Sequence, residues 1–206
     1  MGEFHSIGIS RHRIATDGEG VTTLVAGHGC PLDCKYCLNP QCKREAARLH
    51  FSAAELYERL AVDDLYFTAT GGGVTFGGGE PLLQAEFIAE FIGYTRSKGK
   101  EWRFCVESCL SVDSEKLALL DGLIDCYIVD IKDMNSEIYK KYTGRDIEKL
   151  LNNLEKLKSK AQSVLLRLPL IPEYNTEADV DYSKDVLKKL GFFRFDRFTY
   201  ITEIKK

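Results

Sequence analysis

The regular alternation of strand-like and helix-like segments is what most constrains this 206-residue chain. Residues 21–26 are rich in β-branched side chains and predict a first strand. Ser52-Ala53-Ala54-Glu55 is a capping box, and Leu56, Leu60 and Ala61 follow it, so a helix is expected to start there. Residues 73–76 read as a short strand between glycines, and Leu83, Phe87, Ile88, Phe91 and Ile92 recur at helical spacing. Further along come a strand over 102–106, a helix over 114–120 and a strand over 125–131. Leu150, Leu151, Leu154 and Leu157 mark another helix, followed by a strand over 164–168. A helix over 179–190 stops at Gly191, and a last strand covers 195–204. About six strands with helices between most of them predict an α/β fold with a parallel sheet and right-handed crossovers. Six units fall short of the eight in a closed (β/α) barrel, which leaves an open partial barrel or a doubly wound sheet. Both place ligands at the C-terminal ends of the strands. No repeat, low-complexity stretch or linker marks a boundary, so a single domain over 1–206 is expected.

Composition narrows the function classes. With 28 basic and 31 acidic residues the net charge is −3, which excludes a strongly basic nucleic-acid binder. An apolar content of 44% with 29% charged residues excludes a disordered chain. No apolar run approaches the roughly 18 residues of a membrane span, and the first 13 residues lack the apolar stretch of a secretory signal. A cytoplasmic protein with no membrane or nucleic-acid partner is expected. The seven cysteines are odd in number and the chain is not small, so a metal or cluster role fits better than a disulfide framework.

Cys30-Pro31-Leu32-Asp33-Cys34-Lys35-Tyr36-Cys37 is the strongest chemical signal. Thiolates at this spacing, in a loop (28–42) just after a strand, can converge on one metal centre. A closed zinc site needs four ligands and a [4Fe–4S] cluster usually has four cysteines. Three thiolates leave one position open for chemistry. Cys42, or His28, as a fourth ligand would instead make a closed structural site, and spacing alone leaves both readings standing. A second signal is the run from Gly71 to Pro81, which fits neither a P-loop nor G-x-G-x-x-G. Glycines there allow close backbone approach to a ligand, and Glu80 suits a ligand ammonium group; a flexible turn is the plain alternative. The third signal is the charges in or beside strands: Glu107, Asp130, Lys132 and Arg167 form a balanced polar set suited to a zwitterion, or to structural ion pairs. Cys42, Cys105, Cys109 and Cys126 read as small buried residues. Ser10-Arg11-His12-Arg13 reads as a solvated turn.

These residues resemble a known family. Cys30-x3-Cys34-x2-Cys37 with the aromatic Tyr36 is similar to the radical S-adenosylmethionine (SAM) signature, and Thr75 to Gln84 is similar to that family's Gly-Gly-Glu segment. More narrowly, Asp130-Ile131-Lys132-Asp133-Met134-Asn135, Tyr142-Thr143-Gly144 and the segment from Arg167 to Asn175 resemble the activating enzymes of glycyl radical enzymes, the pyruvate formate-lyase activase group. The resemblance implies a partial (β/α)6 barrel. It implies that Cys30, Cys34 and Cys37 hold a [4Fe–4S] cluster whose fourth iron binds the amino and carboxylate groups of SAM. Gly78, Gly79 and Glu80 would then meet the amino group. Asp130, Lys132 and Arg167 would line the SAM site, with Glu107 and Ser108, and Tyr36 and Leu38 would approach the adenine. The implied reaction is reductive cleavage of SAM to a 5′-deoxyadenosyl radical that takes hydrogen from a glycine of a partner enzyme. A flavodoxin or ferredoxin reductant, air sensitivity and a monomer go with it.

Three departures stand out. Glu107-Ser108-Cys109-Leu110 replaces the usual Asp-Thr-Asn/Cys-Gly, where the acidic residue helps bind a monovalent cation near Asp130. Gly77 replaces the usual Ser, and the Tyr-His segment after the sixth strand is missing. Among the four cysteines outside the motif, no CxxC pair suggests auxiliary clusters. The competing readings are a radical SAM enzyme acting on a small molecule or nucleoside, and a structural zinc protein or electron carrier.

Overall fold

Alternating burial along the strands organises the first of two compact units, which comprises residues 1–30, 39–108 and 112–128; the second comprises 31–38, 109–111 and 129–206. The computed structural model describes residues 2–14 and 16–200. In the first unit β1 (Phe4–Ile14), β2 (Val21–Gly27), β3 (Leu49–Phe51), α1 (Ala53–Ala61), α2 (Asp64–Thr70), β4 (Gly73–Gly78), α3 (Ala85–Ser97), β5 (Arg103–Ser108) and α4 (Ser114–Ala118) follow in order. β6 (Cys126–Asp130) begins in this unit and ends in the second. The strand order is β3-β1-β2-β4-β5-β6. β2, β4 and β5 are parallel, with Thr22 beside Gly73 and Gly73 beside Arg103. β1 and β3 add antiparallel strands.

The parallel core packs on α3, whose buried Phe87, Ile88, Phe91 and Ile92 form one apolar stripe. Phe76 of β4 lies edge-on to Phe4 (5.6 Å between centroids) and to Phe91 (5.8 Å), and all three rings are fully buried. Each such side chain contributes about 1.5–3 kcal/mol by burial. Close strand approach needs glycine at one point in particular: a Cβ on Gly73 would lie 2.0 Å from the Arg103 carbonyl oxygen. Ser52 caps α1 in the expected capping box with Glu55.

The sequence reading had a solvated turn at residues 10–13. The structure corrects this, because those residues belong to β1. Arg11 Nη1 lies 2.9 Å and His12 Nε2 3.2 Å from the buried carboxylate of Asp63, and Arg13 pairs with Asp17. Partners far along the chain, not local pattern, turn a polar run into a strand.

The second unit contains α5 (Ser136–Thr143), α6 (Glu148–Leu157), β7 (Val164–Leu170), α7 (Glu177–Lys189) and β8 (Phe195–Thr199), with strand order β6-β7-β8. β7 and β8 are parallel, with Leu166 beside Phe195. Asn135 caps α5 through Glu137 N and Ile138 N, and Thr176 with Asp179 makes a capping box at α7. The last strand ends at Thr199; the remainder of the expected strand, 201–204, lies outside the described residues. No helix among the described residues is long and apolar enough to cross a membrane.

Candidate functional site

The site residues named from the sequence fall in both units, and each unit assembles its own set. In the first, β4 carries the glycine run to Gly78, where the backbone turns with φ +86°. Gly79 N donates to the Gly27 carbonyl (3.0 Å) and Glu80 N to the Gly29 carbonyl (2.7 Å). A Cβ on Gly79 would lie 2.2 Å from the Gly29 oxygen, so only glycine fits. The glycines at 73 and 79 therefore admit neighbouring backbone.

That turn buries Glu80 completely. Its carboxylate accepts Leu82 N at 3.1 Å, capping the short 3-10 turn Pro81–Gln84. Ser108 Oγ, at the end of β5, donates to the same carboxylate at 2.8 and 3.0 Å. The sequence resemblance put Glu80 and Ser108 in one site, and their direct hydrogen bond is an added finding. Glu107 is half-buried, and its Oε2 lies 3.1 Å from where a Cβ on Gly77 would stand. The family's Ser at that position would thus press on the longer Glu107 side chain. The two departures from the family pattern fall against each other.

Cys30, the last residue of the first unit's opening stretch, is half-buried, and no disulfide joins any of the seven cysteines. Cys42 is buried, and its carbonyl accepts Gly29 N at 2.7 Å. Cys105 and Cys126 lie together in a small buried cluster with Ile128. Their mutual hydrogen bond, and then burial, push the Cys105 thiol well above its usual range, which keeps it a neutral side chain. Cys109 is half-buried.

In the second unit, Cys34 is half-buried and Cys37 and Leu38 are exposed. The 31–38 segment is tied to the end of α5: Asp33 N donates to the Thr143 carbonyl (2.8 Å) and Lys35 N to the Tyr142 carbonyl (3.2 Å). Arg145 Nε reaches the Pro31 carbonyl at 2.9 Å. Cys34, Tyr36, Tyr174 and Phe198 pack against buried Tyr142, Ile171 and Tyr200.

Lys132, just past β6, is a buried ammonium. Its Nζ lies 3.0 Å from Asp130 Oδ2 and 3.5 Å from Tyr200 Oη. Burial alone would lower its pKa, but Asp130, Tyr200, Cys34 and Tyr142 together hold it well above the ordinary lysine value, so it is charged at neutral pH. Arg167 Nε stands 3.7 Å from Asp196. Of the four charges read as one polar set, Asp130 and Lys132 pair with each other, and the Arg167 carbonyl accepts Ile131 N, between them, at 2.9 Å. Tyr200, which directly follows β8, was missed in the sequence.

The donor set fits an iron–sulfur cluster with bound SAM. Three thiols without disulfides stand in eight residues, and one of them, Cys34, packs against the hydrophobic cluster containing Tyr200, whose hydroxyl meets the Lys132 ammonium.

Comparison with known proteins agrees. A model of the radical SAM superfamily matches residues 24–185. The (2S)-3-sulfopropanediol dehydratase activating enzyme of Klebsiella oxytoca is 40% identical over 142 residues, covering 68% of this chain. The chain spans only 44% of that relative's length. The pyruvate formate-lyase 2-activating enzyme of Escherichia coli is 31% identical across 85% of this chain and 70% of the relative. Streptococcus suis SuiB bound to S-adenosylmethionine matches in fold, with a TM-score of 0.65 at 12% identity, over 85% of this chain and 39% of that one.

Proposed function

Because the chain belongs to the radical SAM superfamily, and within it to the family of pyruvate formate-lyase-activating enzymes, we propose that it installs a glycyl radical on a partner protein. The α/β fold and the cofactors, a [4Fe–4S] cluster and SAM, are those of the superfamily. When bound, these cofactors supply reductive cleavage of SAM and a 5′-deoxyadenosyl radical able to take hydrogen from a glycine.

The chain's own residues have distinct tasks. Cys30, Cys34 and Cys37 hold the cluster as thiolates. Glu80, oriented by Ser108 and by the Leu82 amide, receives the amino group of SAM, with Gly78 and Gly79 letting the turn that carries it pack against Ala26 and Gly29. Lys132, Asp130 and Arg167 hold the carboxylate and ribose end, and Tyr36 and Leu38 border the adenine. Asp130 offers its carboxylate to a monovalent cation. The reductant is a flavodoxin or ferredoxin, and the protein acts as a cytoplasmic monomer.

The observation that carries this reading is Lys132, a buried cation fixed by Asp130 at 3.0 Å. A structural zinc loop has no use for such a group. The test is anaerobic incubation of the reconstituted chain with SAM, reductant, and either pyruvate formate-lyase or sulfopropanediol dehydratase, read by electron paramagnetic resonance. A glycyl radical on either partner supports the proposal. Cleavage of SAM with no radical on either moves the chain to the small-molecule class.

A further inference from the structure

The segment between the second and third cysteines is held on one side by α5, through the Asp33 and Lys35 amides. On its other side stands an unusual residue. Glu173 has φ +68°, the left-handed region that L side chains other than glycine, asparagine and aspartate avoid. The position is exposed, so packing does not demand a long side chain there. Glycine would fit this backbone at lower cost. Tyr174 N and Asn175 N both donate to the Ile171 carbonyl at 3.1 Å, and Asn175 Oδ1 accepts Ile171 N at 2.6 Å, which fixes the turn.

The Glu173 carboxylate accepts the hydroxyl of Tyr36 at 2.9 Å. The Tyr36 ring stands edge-on to Tyr174 (5.7 Å, 88°) and tilted against Tyr142 (6.3 Å). The side chain on the strained backbone therefore grips the one aromatic residue lying between Cys34 and Cys37. Backbone strain kept at an exposed site points to a function of the side chain.

We propose that Glu173 and Tyr36 form a clasp that pins the Cys34–Cys37 segment to the turn after β7, with Glu173 as a positioning residue for the cluster ligands. The inference rests on the proposed function for its purpose, but the clasp itself is a property of the protein alone. Its signature is a divergence between stability and order. Glu173→Gly relieves the strained backbone, so the thermal midpoint should stay level or rise by a degree or two. The same change should free the segment. One hydrogen bond to a charged group corresponds to roughly a tenfold change in an opening equilibrium.

The experiment measures two things. Amide exchange at residues 35–38 in the cluster-free chain should quicken about three- to tenfold in Glu173→Gly and Tyr36→Phe. Bleaching of the reconstituted cluster by a chelator should quicken by a similar factor. Glu173→Gln keeps an acceptor oxygen and should restore most of the wild-type behaviour. The double variant Tyr36→Phe/Glu173→Gly should be no faster than either single one, since both remove the same bond. Wild-type exchange in both single variants, or additive effects in the double, would overturn the clasp. A wild-type chain that takes up no cluster would sink the proposed function instead, while the exchange result still decides the clasp.

Discussion

The two units each hold a buried charged side chain in place, and they do it differently. In the first, Glu80 is fully buried and tied to a backbone amide and the Ser108 hydroxyl, in a unit that also packs Phe76, Phe91 and Phe4 together. In the second, Lys132 is tied to the opposite charge of Asp130 and to the phenol of Tyr200, beside a wall of tyrosines. The first arrangement lets one residue cap a turn and hold a carboxylate in place at little cost to its surroundings. The second depends on two charges staying together, because a buried charge left alone is expensive. The Glu80 carboxylate is thus held by neutral donors and the Lys132 ammonium by an opposite charge.

The largest expected effect sits in the aromatic core. Phe76→Ala should cost about 3–5 kcal/mol, measured by urea unfolding, because it opens a cavity among three rings. A loss under about 1 kcal/mol would mean that the first unit does not depend on this packing. Next comes the charge pair. Lys132→Met should cost about 2–4 kcal/mol by leaving Asp130 without its cation, somewhat moderated because Asp130 is 24% exposed. The double variant Lys132→Met/Asp130→Asn should recover much of that loss; failure to recover would show that Lys132 acts by packing and not by charge.

Glu80→Gln separates holding from binding. The amide oxygen can still cap Leu82 and accept from Ser108, so unfolding should shift by less than about 1 kcal/mol. Loss of the negative charge should weaken SAM binding by roughly ten- to a hundredfold, read by equilibrium dialysis on the reconstituted protein. Equal SAM affinity would make Glu80 a turn cap alone.

The smallest effect is at Asp64. Hydrogen bonds from Lys100 (2.7 Å) and then Trp102 (2.6 Å) hold its carboxyl below the usual range. A lowered acid pKa stabilises the fold above the unfolded value, near pH 4, and that contribution disappears as pH falls through the lowered value. Asp64→Asn should therefore lose up to about 1 kcal/mol at pH 7, with the gap to wild type closing below about pH 4. A gap that persists at pH 2 would point to shape, not charge.

Much of the fold was legible because burial writes a period into the sequence. The Phe87, Ile88, Phe91 and Ile92 stripe and the Ser52–Glu55 capping box each appear where they were read. β1 was not legible. Its Ser-Arg-His-Arg stretch alternates no apolar residues, and it is held by Asp63, which lies some 50 positions away. The short α5 escaped because its buried face is two tyrosines and a threonine with no aliphatic repeat, although Asn135 before it was a readable cap. In the site, the cysteines announce themselves by spacing, but the Ser108 to Glu80 bond joins two strand ends, and Tyr200 meets Lys132 across 68 positions. Such meetings depend on how strands are ordered, which local pattern does not encode.

The most direct test of the account is formation of 5′-deoxyadenosine from SAM by the anaerobically reconstituted, reduced chain. The account predicts product that depends on reductant and vanishes in Cys34→Ala, a variant that should remain folded. A chain carrying a full, reducible cluster that yields no 5′-deoxyadenosine, alone or with a glycyl radical enzyme present, would contradict it.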